Sequence, residues 1–376
     1  MRRSLRKLIF TVLAVVAIAF LLYKFRNSIT LEGFRWDVLA HSWKEASYPL
    51  FLLGILGTYL AHVIRALRWQ RFSRYLGESK FLTLYACHLM GFASIFLLGR
   101  AGEPVRPLLI SRREQLSTSG TFGIYFLERI FDAGAAAVFA GLALMALSRG
   151  TYTMSQSSKF IRVVHTGGIA LLIGFVGVAI FLVYFRLHGA GALTRRLERS
   201  LVKSHSKFKA KLAAVVAGFS EGLQAIRTWN DLLVGLAWTA AHWILIVFIY
   251  VWVAHAFGGA LGRITFSGAM LVLAFTLVGS AVQLPGVGGG AQVALFLVFT
   301  LFLGVQKEPA AAAAIAIWLI TFASPVIVGV PLLLRQGWSM DELKKTAETE
   351  EETAVEEEEE RLIGERPEAV RREESR

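Results

Sequence analysis

Blocks of about 20 apolar residues, separated by short loops rich in lysine and arginine, recur along this chain and constrain its fold more than any other feature. A helix of that length crosses the roughly 30 Å of hydrocarbon in a bilayer. A soluble helical protein with a large core would carry polar faces on its helices, and these blocks lack them. Composition agrees, since 55% of the 376 residues are hydrophobic and the mean hydropathy is +0.55. The fold class that follows is all-α, a polytopic transmembrane helical bundle.

Charge is unevenly distributed. The chain carries a net +13, but residues 340–376 hold 15 acidic and 7 basic groups, a net of −8, leaving +21 on the remainder. That pattern describes a basic membrane protein with an acidic tail and excludes a nucleic-acid binder. Its cations flank apolar spans, where anionic lipid headgroups are the expected partners. The lone cysteine, Cys87, forms no internal disulfide. His62, His88, His165, His242 and His255 are scattered singly among apolar residues, so no metal is expected, and no cofactor motif is present.

The first span is expected near Leu8–Tyr23 behind Arg2, Arg3, Arg6 and Lys7, as an uncleaved signal anchor with a cytoplasmic N-terminus. A second covers about Tyr48–Ala66. Arg65, Arg68, Arg71, Arg74 and Lys80 then mark a cytoplasmic loop by the positive-inside rule. Apolar blocks follow at Phe81–Gly99, Phe122–Leu147 and Ile161–Phe185, before a basic connector (186–231) that should also be cytoplasmic. Three crossings between two cytoplasmic loops violate parity. The conflict disappears if Phe81–Gly99 and its charged continuation Arg100–Thr118 form a re-entrant hairpin, covered by neighbouring helices or a wet cavity.

Leu232–Phe257 should cross outward and Ala310–Leu334 should return. Phe266–Leu284 and Gln292–Val305 lie between them as either two spans or a second hairpin. Two hairpins entering from opposite sides give the pattern of an inverted repeat, with a site near the midplane where the broken elements meet. Residues 1–336 thus form the transmembrane domain, and 337–376 read as a disordered acidic cytoplasmic tail. Leu212, Val215, Val216, Phe219, Leu223 and Ile226 recur at helical spacing, fitting either a helix on the cytoplasmic leaflet or a connector packed on the bundle.

Ionisable groups at membrane depth cost about 2.5–3.5 kcal/mol each on insertion scales, which makes them the best functional clues. Gly99-Arg100-Ala101-Gly102-Glu103-Pro104-Val105-Arg106-Pro107 predicts a sharp turn displaying Arg100, Glu103 and Arg106. Arginine grips phosphate through a bidentate fork, and Glu103 can hold an arginine or receive a cationic headgroup. The alternative for this turn is a cytoplasmic loop with surface ion pairs. Glu128, Arg129 and Asp132 share one helical turn and should face the protein interior, partnered with one another or with the first cluster's arginines. A structural tie and direct substrate contact are both open for this triad. Pro285, Gly286, Gly288 and Gly289, within Gln283–Gln292, predict an unwound segment with free backbone polar groups. Ala291-Gln292 follows where a phosphate-binding P-loop needs Lys-Ser/Thr, so no nucleotide site is read there.

These clusters, in this order, resemble the membrane domain of bacterial lysylphosphatidylglycerol synthases, which also occurs as a stand-alone family. The likeness rests on the Gly-Arg-Ala-Gly-Glu turn with Arg106, the Glu128-Arg129…Asp132 helix and the Pro285-Gly286…Gly288-Gly289 break, and spans about Leu8 to Leu334. In two-part members that domain is associated with moving aminoacylated phospholipid between leaflets, while a separate soluble domain carries out aminoacyl transfer. Residues 337–376 are too few to hold such a domain, so the synthase activity is not carried over. Where the family is expected to favour an acidic residue after the glycine break, this chain has Gln292.

The resemblance implies a flippase-like translocase of a phospholipid or lipid-linked substrate in a bacterial cytoplasmic membrane. Arg100 and Arg106 would engage phosphate, and Glu103, Glu128, Arg129 and Asp132 would support them. Pro285, Gly286, Gly288 and Gly289 would line the opposite side of the cavity. The alternatives are a membrane-embedded transferase acting on lipid-linked substrates and a non-catalytic partner in an envelope lipid pathway.

Overall fold

The computed structural model describes residues 33–148, helical pieces between 166 and 183, residues 225, 226 and 228–280, and residues 283, 284 and 288–336. The expected signal anchor, the basic stretch 186–211, nearly all of Leu212–Ile226, Pro285 and Gly286, and the acidic tail lie outside the described residues; Ile161–Phe185 is described only in part. Within the described residues the protein is an all-α polytopic bundle. Five stretches are long and apolar enough to cross a bilayer: Tyr48–Ser73, Phe81–Gly102, Thr118–Ala146, Trp229–His255 and Lys307–Leu334.

The described helices are α1 (Trp36–Lys44), α2 (Tyr48–Ser73), α3 (Phe81–Leu98), α4 (Val105–Glu114), α5 (Thr118–Ser148), α6 (Trp229–His255), α7 (Phe266–Gly279), α8 (Gly290–Leu297), α9 (Lys307–Trp318) and α10 (Ser324–Leu334). One correction concerns α2. Arg65 and Arg68 do not follow the second span in a loop, because the helix continues to Ser73 and carries both within it. Arg65 and Arg68 find carboxylate partners on α5, more than 60 residues away, and a local count of positive charge cannot register that pairing.

The chain forms two compact units. One draws its described residues from Gly57–Val138, Leu171–Ile246 and Phe322–Arg376. Its centre is a helical hairpin in which α3 runs into a 3-10 turn at Gly99–Gly102 and α4 returns along it. Gly99 supplies the positive φ of 64° at which α3 ends. Gly102 packs so closely beneath the Ser94 carbonyl that a Cβ there would collide with it, and Ser94 Oγ donates to the Gly102 carbonyl at 2.9 Å. Pro107 sits in the first turn of α4, where its missing N–H has no intrahelical partner to lose. At the far end the Lys80 N–H donates to Glu114 Oε2 at 2.8 Å, so the two ends of the hairpin meet.

Helix α10 lies along α3 through Gly329, whose Cα side faces the Leu89 carbonyl and the Ala93 methyl. Small residues at a contact let backbones approach, and close van der Waals packing is what holds helices together in lipid. A π turn at Leu319–Ala323 joins α9 to α10 just before Pro325, which has no N–H to offer the preceding turn. Tyr59 Oη donates to the Ser324 carbonyl at 2.9 Å beside this irregularity.

The second unit draws its described residues from Met1–Leu56, Phe139–Ala170 and Val247–Thr321. Here α7 and α8 form another helical hairpin, with Gly279 against the Gly290 carbonyl and the Ala294 methyl. Its tip is a two-residue antiparallel ladder pairing Gln283 with Gly289 and Leu284 with Gly288. Gly289 takes φ 120°, and its N–H donates to Gln292 Oε1 at 2.6 Å, capping α8. A glutamate at that position would accept the same bond, so glutamine preserves the cap without the charge. Fourteen residues give α7 a length of roughly 21 Å at 1.5 Å per residue, short of a bilayer's hydrocarbon thickness. In the same unit, Trp43 packs against Phe51 and Phe257, and the Arg35 N–H donates to Glu308 Oε1 at 3.0 Å, fixing α1 near the start of α9.

Gly102→Ala should lower the thermal unfolding midpoint of the detergent-solubilised protein, by an overpacking cost of about 1–3 kcal/mol. Gly262→Ala, where no atom lies within 4 Å of the added methyl, should leave it unchanged.

Candidate functional site

In the unit built on α3 and α4, apolar patterning buries one face of α2, α4, α5 and α6, and that face carries charge. Glu128 on α5 is fully buried, and Asp132, one turn further along, is 8% exposed. Arg68 on α2 reaches both, donating to Glu128 Oε1 at 2.8 Å and to Asp132 Oδ1 at 3.0 Å, and also to Thr239 Oγ1 on α6 at 2.8 Å. Arg65, one turn earlier, donates to Glu128 Oε1 and to Asp132 Oδ2, each at 3.2 Å. Trp69 Nε1 donates to Glu128 Oε2 at 2.9 Å, and Trp243 Nε1 approaches Asp132 Oδ1 at 3.4 Å.

Arg106 on α4 closes the cluster. It grips both oxygens of Glu128, with NH1 3.4 Å from Oε1 and NH2 bonded to Oε2. Its stem passes over Gly91, where an added Cβ would come within 2.5 Å of the Arg106 Cβ. The absence of a side chain at Gly91 therefore lets the α4 guanidinium reach α5. The Arg106 and Arg129 guanidinium groups each lie 5.2 Å from the Tyr125 ring centre, a cation–π arrangement. Tyr125 Oη donates to Glu103 Oε2 at 2.5 Å. Arg129 pairs with Asp132 at 3.3 Å, and 41% of its side chain is exposed.

Among the described residues, four guanidinium groups surround two carboxylates in this cluster, an excess of two positive charges. Counting Glu103 still leaves one positive charge uncompensated. Each carboxylate is more than matched, whereas the cations are not. Burying charge is costly unless it is paired, so the net positive charge here favours a negative charge nearby. A recess with about 50 Å³ of room for water-sized occupants opens beside these cations, lined by Arg65, Arg106 and Arg129 together with Glu103, Tyr125, His62 and His88.

The structure therefore brings together Glu103, Arg106, Glu128, Arg129 and Asp132. Arg100 lies exposed in the 3-10 turn Gly99–Gly102 at the tip of the hairpin. Gly288 and Gly289 form the second strand of the short ladder in the other unit. Sequence reasoning missed Arg65, Arg68, Trp69 and Tyr125. One signal was available for the first two: their spacing of three places them on one helical face directly after an apolar run, and the buried acids of α5 need cations.

A model of the family described as "Lysylphosphatidylglycerol synthase TM region" matches residues 9–329. A protein called "UPF0104 membrane protein" from Methanothermobacter thermautotrophicus is 23% identical over 307 residues, covering 80% of this chain and 89% of that protein.

Glu128→Gln leaves Arg65, Arg68 and Arg106 facing one another across a neutral amide. Losing a buried partner of this kind costs about 3–5 kcal/mol, so the variant should unfold at a clearly lower temperature in detergent. Exposed Arg100→Ala should stay within about 0.5 kcal/mol of the parent in the same melting experiment.

Proposed function

The chain belongs to the lysylphosphatidylglycerol synthase transmembrane-region family, and from that premise we propose that it is a flippase-like translocase of a phospholipid or lipid-linked substrate. The observation that carries this reading is the excess of positive charge around Glu128 and Asp132 beside an open recess within apolar helices. A lipid phosphate supplies the missing negative charge and can take bidentate bonds from guanidinium groups. Arg129 is the half-exposed cation able to turn from Asp132 towards such a ligand.

In this reading Arg106 and Arg129 hold the phosphate, and Arg65 adds positive potential. Glu128 and Asp132 keep the guanidinium groups in place. Arg100, at the exposed tip, meets the headgroup first. The α3–α4 hairpin is read as re-entrant, a reading the bond between its two ends supports, and the α7–α8 hairpin as the second broken element of an inverted repeat. Pro285, Gly286, Gly288 and Gly289 supply backbone groups to the substrate path. The host is a bacterial cytoplasmic membrane, with N-terminus and acidic tail inside. Those basic and acidic segments meet anionic lipid headgroups and the cytosol respectively.

The test is headgroup accessibility in liposomes containing the purified protein and fluorescent phosphatidylglycerol, with a membrane-impermeant quencher added outside. Quenching should exceed the outer-leaflet fraction, and Arg129→Gln should slow that excess at least about tenfold, the effect of 1.4 kcal/mol on a barrier. Arg100→Ala should slow it as well. No excess quenching with anionic, zwitterionic or polyprenyl lipids would remove the translocase reading and favour a transferase acting on a lipid-linked donor.

A further inference from the structure

Two imidazoles line the recess, and each has a ring nitrogen buried without a hydrogen-bond partner, Nδ1 of His62 on α2 and Nε2 of His88 on α3. The proton of His88 can be assigned. Its Nδ1 lies 2.8 Å from the Leu84 carbonyl, which only accepts, so Nδ1 carries the proton and the neutral ring presents a lone pair at Nε2. Trp69 packs edge-on against this imidazole, with 5.8 Å between ring centres, and holds its orientation. A buried acceptor left without a donor is costly.

A phosphodiester in this space sharpens the mismatch, because its oxygens also only accept. With about 50 Å³ of room, the recess leaves little distance between them and the His88 lone pair. One proton on Nε2 turns the clash into a charge-assisted hydrogen bond and keeps the Leu84 bond, since both nitrogens of an imidazolium donate. Charge links the two events. Arg65, Arg68, Arg106 and Arg129 stand against Glu128, Asp132 and Glu103, a net of one positive charge. A proton added alone raises that excess, whereas a proton added with a phosphodiester leaves it unchanged. Among the described residues, the titratable groups facing His88 are Arg65 and His62 of α2, Arg106 of α4, and Glu128, Arg129 and Tyr125 of α5, with Glu103 just before α4. His242 of α6 lies within electrostatic reach of His62, and α10, packed along α3, carries no titratable side chain.

We propose that His88 is a proton site linked to the phosphate site, so that a phosphodiester on Arg106 and Arg129 is bound together with one proton held between Nε2 and a phosphate oxygen. This rests on the phosphate-binding reading above. It concerns the phosphodiester, which amine-bearing and polyol headgroups have in common, and adds a second ligand rather than a choice among headgroups. By linkage, the lipid binds more tightly as pH falls, and the protein takes up a proton when the lipid binds.

The experiment is calorimetric titration of the full chain in detergent with dihexanoyl phosphatidylglycerol across the range in which histidine titrates, about pH 5.5 to 8. The phosphodiester stays singly charged throughout, so any titration belongs to the protein. Affinity should fall as pH rises, by up to about tenfold per pH unit, the limit for one linked proton. Heats measured in two buffers of different ionisation enthalpy should show uptake of close to one proton per lipid. His88→Gln places a permanent amide donor where the proton would sit, so its affinity should not vary with pH. His62→Gln should keep the dependence.

Constant affinity with no proton uptake in the parent protein overturns the proton site while leaving phosphate recognition intact, and needs no variant to fold. A pH dependence that survives His88→Gln overturns the assignment to His88. Glycerophosphoglycerol, the same headgroup without acyl chains, binding as well as the lipid overturns a lipid source for the phosphodiester. If phosphatidylglycerol binds at no pH, or binds equally well to Arg129→Gln, the phosphate reading itself fails and this inference falls with it.

Discussion

A carboxylate with no access to water must be surrounded, and Glu128 shows how thoroughly. Three arginines and an indole N–H converge on its two oxygens, from helices α2 and α4. The positions of those helices follow from that requirement. α2 must extend past Ala66 to bring Arg65, Arg68 and Trp69 into reach, and α4 must fold back along α3 to present Arg106. Removing the acid would leave several guanidinium groups without compensation, so the cluster acts as one unit, and deletion energies within it will not add.

Close packing at glycines makes that convergence geometrically available. Gly91 lets the Arg106 stem cross α3, Gly102 lets the turn settle under the Ser94 carbonyl, and Gly329 seats α10 on α3. In lipid the hydrophobic effect gives no preference between helix and solvent, so such contacts carry weight that core burial carries elsewhere. The site is thus supported from its backbone outward. Contacts without side chains position the hairpin, the hairpin positions Arg106, and Arg106 shares Glu128 with α2.

Much of this was legible in the sequence. The apolar blocks gave the membrane class, and the triad Glu128, Arg129 and Asp132 was readable as inward-facing because charge at depth needs partners. Arg106 was tied to it through the Gly-Arg-Ala-Gly-Glu turn. Arg65 and Arg68 were misread for a physical reason. The rule that locates cytoplasmic loops counts cations near span ends, and these cations were balanced by acids far away in sequence. Tyr125 and the unpaired nitrogen of His88 depend on side-chain placement, which periodicity does not specify. Gln292, met as a departure from an acidic pattern, is explained by one bond to the Gly289 N–H, a task in which its neutral amide equals a carboxylate.

The dimensions of α7 and α8 bear on how the protein is made. A helix entering a membrane alone must be long enough to exchange all of its water contacts for hydrocarbon, and neither arm reaches that length. Each would leave its tip's peptide groups in lipid with nothing to bond. Together, packed at Gly279 and Gly290, they pair the backbone of Gln283 and Leu284 with that of Gly289 and Gly288 in the short ladder. Two arms this short enter a bilayer more readily as one unit than singly.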